Sequence, residues 1–266
     1  MWWLLLLPVL LYLAVLVALY SGQTAILFPV GQVGPPPPLP SGTQRLAFTP
    51  AGGERLAGIH IPPSSPGGER LLVLGFGGNA WNAEAMAALL HQIYPQADIV
   101  AFHFRGYRPS GGRPSAAAFR SDAVAILDWV GPQLRPARTV AIGFSIGSGV
   151  AAVLAAEGPV DGLILVTPFD SLGEVAADHY PWLPVRRLLR HRLEPAEDLR
   201  GTNVPVAILA GADDRLIPAQ RTDALRRAVP RLVFDRTIEG AGHNDIYDRA
   251  EFRLAMVDAL AALHHP

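Results

Sequence analysis

Two residue types are missing outright. The 266-residue chain contains no cysteine, and all 22 of its basic residues are arginine, so it has no lysine either. Without cysteine there is no thiol nucleophile, no thiolate metal ligand and no disulfide, and the redox compartment is left open. Without lysine the chain cannot be a P-loop nucleotide hydrolase, a protein kinase or a Schiff-base enzyme, since each needs the amine. Charge is scarce too: the formal net charge is -1, with 17% charged residues. A nucleic-acid partner normally selects a strongly basic face, so none is expected. No H-E-x-x-H or comparable ligand spacing occurs, and neither a metal nor another cofactor is expected.

What is present is apolar. Half of the residues are hydrophobic, enough to offset chain entropy and exclude disorder, and the length suits one α/β domain. Part of that hydrophobicity is concentrated at the start. Trp2 to Tyr20 is uncharged and holds nine Leu and three Val. At roughly -0.4 kcal/mol per central Leu or Val, these favour membrane insertion by about 5 kcal/mol. Residues 1–20 are therefore expected to form a transmembrane anchor, which Pro8 can kink without stopping. A cleaved signal peptide is the rival, but no basic residue precedes the run and no A-x-A site follows it. The first basic residue is Arg45, so the positive-inside rule has nothing to weigh. The domain that follows is expected outside the cytoplasm, with the N-terminus inside. Residues 21–43 contain Pro35, Pro36, Pro37, Pro38 and Pro40, the composition of a semi-rigid polyproline spacer. On that reading the domain at 44–266 folds without the anchor.

From the linker onward, strand and helix alternate. Gln44 to Phe48 and Arg55 to Ile61 read as a hairpin around Pro50-Ala51-Gly52-Gly53. Strands follow at Arg70–Gly75, Asp98–Phe102, Thr139–Ile142, Gly162–Val166, Val206–Ala210 and Arg231–Arg236. Helical patterns lie between them at Asn82–Ile93, Ser115–Val130, from Ile146, at Pro218–Val229 and at Asp248–Leu263. This is the pattern of a doubly wound, mostly parallel α/β sheet with an antiparallel hairpin at its start.

Three loops, each after a predicted strand, carry the chemistry. Gly143-Phe144-Ser145-Ile146-Gly147 is a G-x-S-x-G pattern, in which glycines let a strand turn sharply into a helix and expose the serine. Gly147, Gly149 and Ala152 also fit a dinucleotide fingerprint, but they fall inside the helix rather than before it. Gly211-Ala212-Asp213-Asp214-Arg215 offers a carboxylate to orient a base. Asp214 is favoured there, with Asp213 in the same loop and Asp170 after Val166 as rivals. Gly240-Ala241-Gly242-His243-Asn244-Asp245 offers the base itself. The order Ser, Asp, His is the one this topology requires of a triad. His60, His191, His264 and His265 read as ordinary core or surface histidines.

With these loops the chain resembles an α/β-hydrolase across residues 44–264. It is similar to the serine aminopeptidase-like and monoacylglycerol-lipase-like group, and most resembles the membrane-anchored α/β-hydrolase-domain proteins, which include lysophospholipid lipases and protein depalmitoylases. Phe104-Arg105-Gly106-Tyr107 with Ser110-Gly111-Gly112-Arg113-Pro114-Ser115 resembles the group's R-G-Y-G-x-S-x-G-x-P-S loop. Gly77-Gly78-Asn79-Ala80 resembles its H-G-N-A segment, with Gly77 where the group usually has His. The resemblance implies an oxyanion hole from the backbone N–H groups of Asn79 and Ile146. It implies a serine hydrolase acting on esters or thioesters of acylated, lipid-like small molecules at a membrane. An acyltransferase or peptidase with the same triad, or an anchored binding protein without turnover, are the alternatives.

Residues 171–203 exceed what one crossover helix needs. They combine Tyr180, Trp182, Leu183, Leu188 and Leu189 with Arg186, Arg187, Arg190 and Arg192. Two readings stand here: a crossover helix packed on the sheet, and a small cap over Ser145 with an apolar underside.

Overall fold

The computed structural model describes residues 3–264 apart from 52 and 66. Expectations that touch Met1, Trp2, Gly52, His265 and Pro266 lie outside the described residues. Among those described, eight strands form one sheet. Their spatial order is β1 (Gln44–Phe48), β2 (Leu56–Ile61), β4 (Asp98–Phe102), β3 (Leu71–Phe76), β5 (Arg138–Phe144), β6 (Gly162–Val166), β7 (Val206–Gly211) and β8 (Leu232–Ile238). β1 pairs antiparallel with β2, and β2 with β4. All later neighbours are parallel. The expected architecture, hairpin included, is present.

Side-chain alternation divides the core in two. Leu72, Leu74, Leu163 and Leu165 face α3 (Ala116–Leu134) and α4 (Ile146–Glu157), where Phe119, Val150 and Leu154 are buried. Val73, Ile164 and Val166 face α2 (Ala83–Ile93) and α9 (Ala250–His264), where Met86, Leu90 and Phe252 are buried. Each such side chain contributes about 1.5–3 kcal/mol on leaving water. The chain passes from β3 outward to β4, then returns to place β5 on the other side of β3. That reversal opens a crevice at the carboxyl ends of β3 and β5. Phe76 pairs with Gly143 there, so the Gly77–Asn79 loop and Ser145 emerge side by side.

The N-terminal helix differs from the sequence reading. α1 runs from Trp3 to Leu27, through Tyr20 and on into the segment read as spacer. It stops because Pro29 has no N–H and restricts Phe28 before it. Among the described residues, this one helix is long and apolar enough to cross a membrane. Its C-terminal end docks on the domain. Phe28 is 2% exposed, with ring centroids 5.0 Å from Phe119 and 4.9 Å from His191. The proline segment is no free spacer either. Val33 and Leu39 pack on the two cores, and the Asn82 amide donates to the Gly34 carbonyl at 2.9 Å. The domain therefore leans on residues that precede it. Phe28→Ala is expected to cost about 3–5 kcal/mol, read as a lowered urea midpoint. An unchanged midpoint would show that the docking contributes nothing.

The 171–203 segment is not a single crossover helix. Pro181 and Pro184 interrupt it, leaving α5 (Leu172–His179), α6 (Val185–Leu188) and α7 (Pro195–Arg200). α7 rests on α4. α8 (Ala219–Ala228) completes the helical layer on that face.

Candidate active site

Ser145 sits between β5 and α4 at φ 51 and ψ -118. A non-glycine residue there is strained by roughly 1–3 kcal/mol, so the surroundings must enforce it. They do so by close approach. A Cβ on Gly143 would lie 2.3 Å from the Gly147 carbonyl oxygen, and one on Gly147 would lie 2.1 Å from that of Phe76. The Ser145 N–H donates to the Val166 carbonyl at 2.8 Å, tying the turn to β6. Gly147→Ala is expected to cost about 3 kcal/mol or more by overpacking, measured by urea denaturation. Near-wild-type stability would contradict this account of the turn.

Three loop residues converge on the crevice. Ser145 Oγ lies 2.9 Å from His243 Nε2. His243 Nδ1 lies 2.7 Å from Asp214 Oδ2. A carboxylate can only accept, so His243 Nδ1 carries the proton and Nε2 presents its lone pair to the serine hydroxyl. The other Asp214 oxygen accepts from the N–H groups of Leu216 and Ile217 at 2.9 and 2.8 Å. The carboxylate is thus fixed in position and orientation. The His243 loop is braced in turn: Asp245 accepts from the Gly242 N–H at 2.7 Å and pairs with Arg249.

The rival carboxylates lie elsewhere. Asp213 is exposed. Asp170 faces Arg221 at 3.3 Å, and burial pushes its carboxyl above the ordinary range. Tyr247, behind the site, is held neutral by burial, which pushes its hydroxyl up to about 12. His60 is buried on Asp98 at 2.7 Å, His191 is buried on Thr24 at 2.8 Å, and His264 is exposed. Among the described residues, no group of three or more His, Asp or Glu is placed to hold a metal ion.

Ile146 opens α4, so its N–H belongs to the unpaired first turn and the positive end of the helix dipole. Asn79 lies in the loop beside Ser145, and its side chain is clamped from both ends. Tyr107 Oη donates to its Oδ1 at 2.6 Å, and its Nδ2 donates to the Leu27 carbonyl at 2.5 Å. The Tyr107 loop is itself pinned by the Arg105–Asp122 pair and by Ser110, which donates to the His103 carbonyl at 2.7 Å. Sequence reasoning noted Tyr107 only as part of a motif, and it missed Leu27 altogether. The motif was a signal for the first, but no local pattern announces the second.

A mostly parallel sheet with a serine at a strained strand–helix turn, facing a histidine and an aspartate from later loops, defines a class. The chain belongs to the α/β-hydrolase family. The family model for the alpha/beta hydrolase fold matches residues 71–192. Uncharacterized protein Rv2307c of Mycobacterium tuberculosis is 35% identical over 238 residues, covering 87% of this chain and 84% of that protein. Lysophosphatidylserine lipase ABHD12 of Danio rerio is 31% identical over 141 residues, covering 46% of this chain and 37% of that protein. A membrane phospholipase A described as a bacterial virulence factor superposes with a TM-score of 0.65 at 15% identity, covering 99% of both chains. A Pyrococcus furiosus esterase superposes with a TM-score of 0.64 at 17% identity, covering 85% of this chain and 97% of that one. At such identities the last two likenesses concern the fold alone.

Proposed function

We propose that this protein is a membrane-anchored serine hydrolase that cleaves carboxylic ester or thioester bonds of acylated, lipid-like substrates. The observation that carries the reading is the unbroken relay from Ser145 through His243 to Asp214 at the switch point of the sheet. Ser145 Oγ attacks the acyl carbonyl as His243 Nε2 takes its proton, and Asp214 stabilises the imidazolium. The oxyanion points to the N–H groups of Ile146 and Asn79, each such donor being worth about 3–4 kcal/mol. Collapse breaks the bond to the leaving group, which departs with the proton from His243. Water then attacks the acyl-enzyme as His243 again removes a proton, and collapse breaks the bond to Ser145 Oγ, which takes that proton back from His243 as the acid is released.

The lysophosphatidylserine lipase among the relatives supports lipid-like esters. The apolar α1 supports a membrane position, with residues 44–266 as the hydrolase domain and 171–203 as its cap. Hydrolysis of p-nitrophenyl butyrate by the purified full chain tests the activity, and inert protein would sink the reading. The protein is expected in the membrane pellet after a carbonate wash. Protease is expected to cut the domain in intact spheroplasts, as an extracytoplasmic placement requires, whereas a protected domain reverses the orientation.

A further inference from the structure

The apolar helix and the cap segment do more than touch. The Tyr12 hydroxyl donates to the Trp182 carbonyl at 3.0 Å. Gln23 spans the gap: its amide donates to the Leu188 carbonyl at 3.2 Å, and its oxygen accepts from the Arg190 N–H at 2.8 Å. The Arg190 guanidinium lies over the Tyr20 ring at 4.9 Å. These contacts tie α1 to the 180–190 segment, and the two form the walls of a groove. Its volume is about 390 Å³, within the roughly 300–1,000 Å³ of small-molecule sites.

The lining is almost wholly aliphatic and aromatic, with Leu19, Ile26 and Leu27 on one wall and Trp182, Leu183 and Leu188 on the other. Gln23, the polar exception, spends its amide on backbone partners. One end of the groove adjoins the active-site loop through a single residue. Leu27 lines it, and the Leu27 carbonyl holds the side chain of Asn79 beside Ser145. Beyond the groove, α1 continues into a Leu6–Leu13 stretch that is exposed and apolar apart from Tyr12. Tyr180 and Trp182 are 50% and 58% exposed, and Trp182 meets Tyr12 of that stretch, as aromatics of a membrane-interface belt would. The exposed Arg187 on that segment suits an anionic headgroup layer, whereas Arg186 beside it is paired with Glu174.

We propose that α1 is one wall of the acyl-chain site. The groove takes the acyl chain of a membrane-resident ester directly from the bilayer and delivers its carbonyl past Leu27 and Asn79 to Ser145. This rests on the hydrolase reading above. The helix is then part of the substrate site as well as a tether, and chain-length selectivity resides in residues that precede the catalytic domain.

Narrowing the groove tests this in the full chain. Leu19→Trp and, independently, Leu183→Trp are expected to lower kcat/KM for p-nitrophenyl palmitate at least about 10-fold more than for the butyrate, because several buried methylenes lose their contacts. Leu10→Trp, on the exposed stretch of α1, is expected to keep the wild-type ratio. The ratio is internal, so partial loss of folded protein does not alter it. A second readout is free of turnover. A fluorophosphonate with a long alkyl chain ending in a diazirine is attached to the wild-type protein and irradiated. The cross-link is expected on peptides spanning residues 15–27 or 180–189. Equal losses for both esters, or cross-links confined to other parts of the domain, overturn the proposal. Wild-type protein that neither hydrolyses butyrate nor takes up the fluorophosphonate fails the hydrolase reading itself, a different result from a failed groove.

Discussion

Ser145→Ala is expected to lose about 10⁴-fold or more of kcat/KM while the domain stays folded. The hydroxyl forms the covalent bond to the acyl group, and no neighbouring side chain can take over. Among the described residues, the one side-chain partner of Ser145 Oγ is His243 Nε2. Deleting it leaves an imidazole at the crevice, not an unpaired charge in the core. The backbone at φ 51 is held by the Ser145 N–H bond to Val166 and by the glycines around it, all of which alanine retains. The thermal midpoint is therefore expected close to that of the wild type. A variant that hydrolyses p-nitrophenyl butyrate at the wild-type rate would place the nucleophile elsewhere. One that is merely unfolded would refute the claim that the elbow stands on its backbone.

Asp214→Asn is expected to fall by about 10⁴-fold in kcat, and here the geometry dictates the failure. One Asp214 oxygen accepts two backbone N–H donors, from Leu216 and Ile217. In the variant the amide oxygen must take that side, which turns the NH2 group toward His243. His243 Nδ1 must then accept, so its proton moves to Nε2. The ring now offers Ser145 a donor where a lone pair is needed. Asp170→Asn provides the contrast. Its carboxyl faces Arg221, which retains Glu174 and Asp178 as further partners. That variant is expected to keep most of its activity, with any cost falling on stability. Loss at Asp170 with Asp214→Asn unaffected would overturn the assignment.

The parts of the fold that were legible in the sequence are those set by local pattern. The strands Asp98–Phe102 and Gly162–Val166 fall where the apolar runs place them, and Ser115 caps α3 with an N–H contact of 3.1 Å to Ala118. The glycines around Ser145 carry their own steric explanation. The choice among Asp170, Asp213 and Asp214 was only favoured, because the two N–H donors that fix Asp214 depend on how the following loop folds. The end of α1 was misread for a stronger reason. Gln23 and Thr24 find their partners 165 and 167 residues away, and the burial of Phe28 depends on Phe119 and His191. No window of neighbouring residues contains that information. The division of 171–203 into three helices was in principle signalled by Pro181 and Pro184, but which faces they pack on was not.

Ser145, as a nucleophile activated by His243 and Asp214, is central to the proposed chemistry. The most direct measurement is intact-protein mass spectrometry of the full chain after reaction with a fluorophosphonate, followed by peptide mapping. One adduct per chain, on Ser145, is predicted, formed far more slowly in Asp214→Asn and not at all in Ser145→Ala. An unreactive wild-type protein, or an adduct that persists in Ser145→Ala, would contradict it.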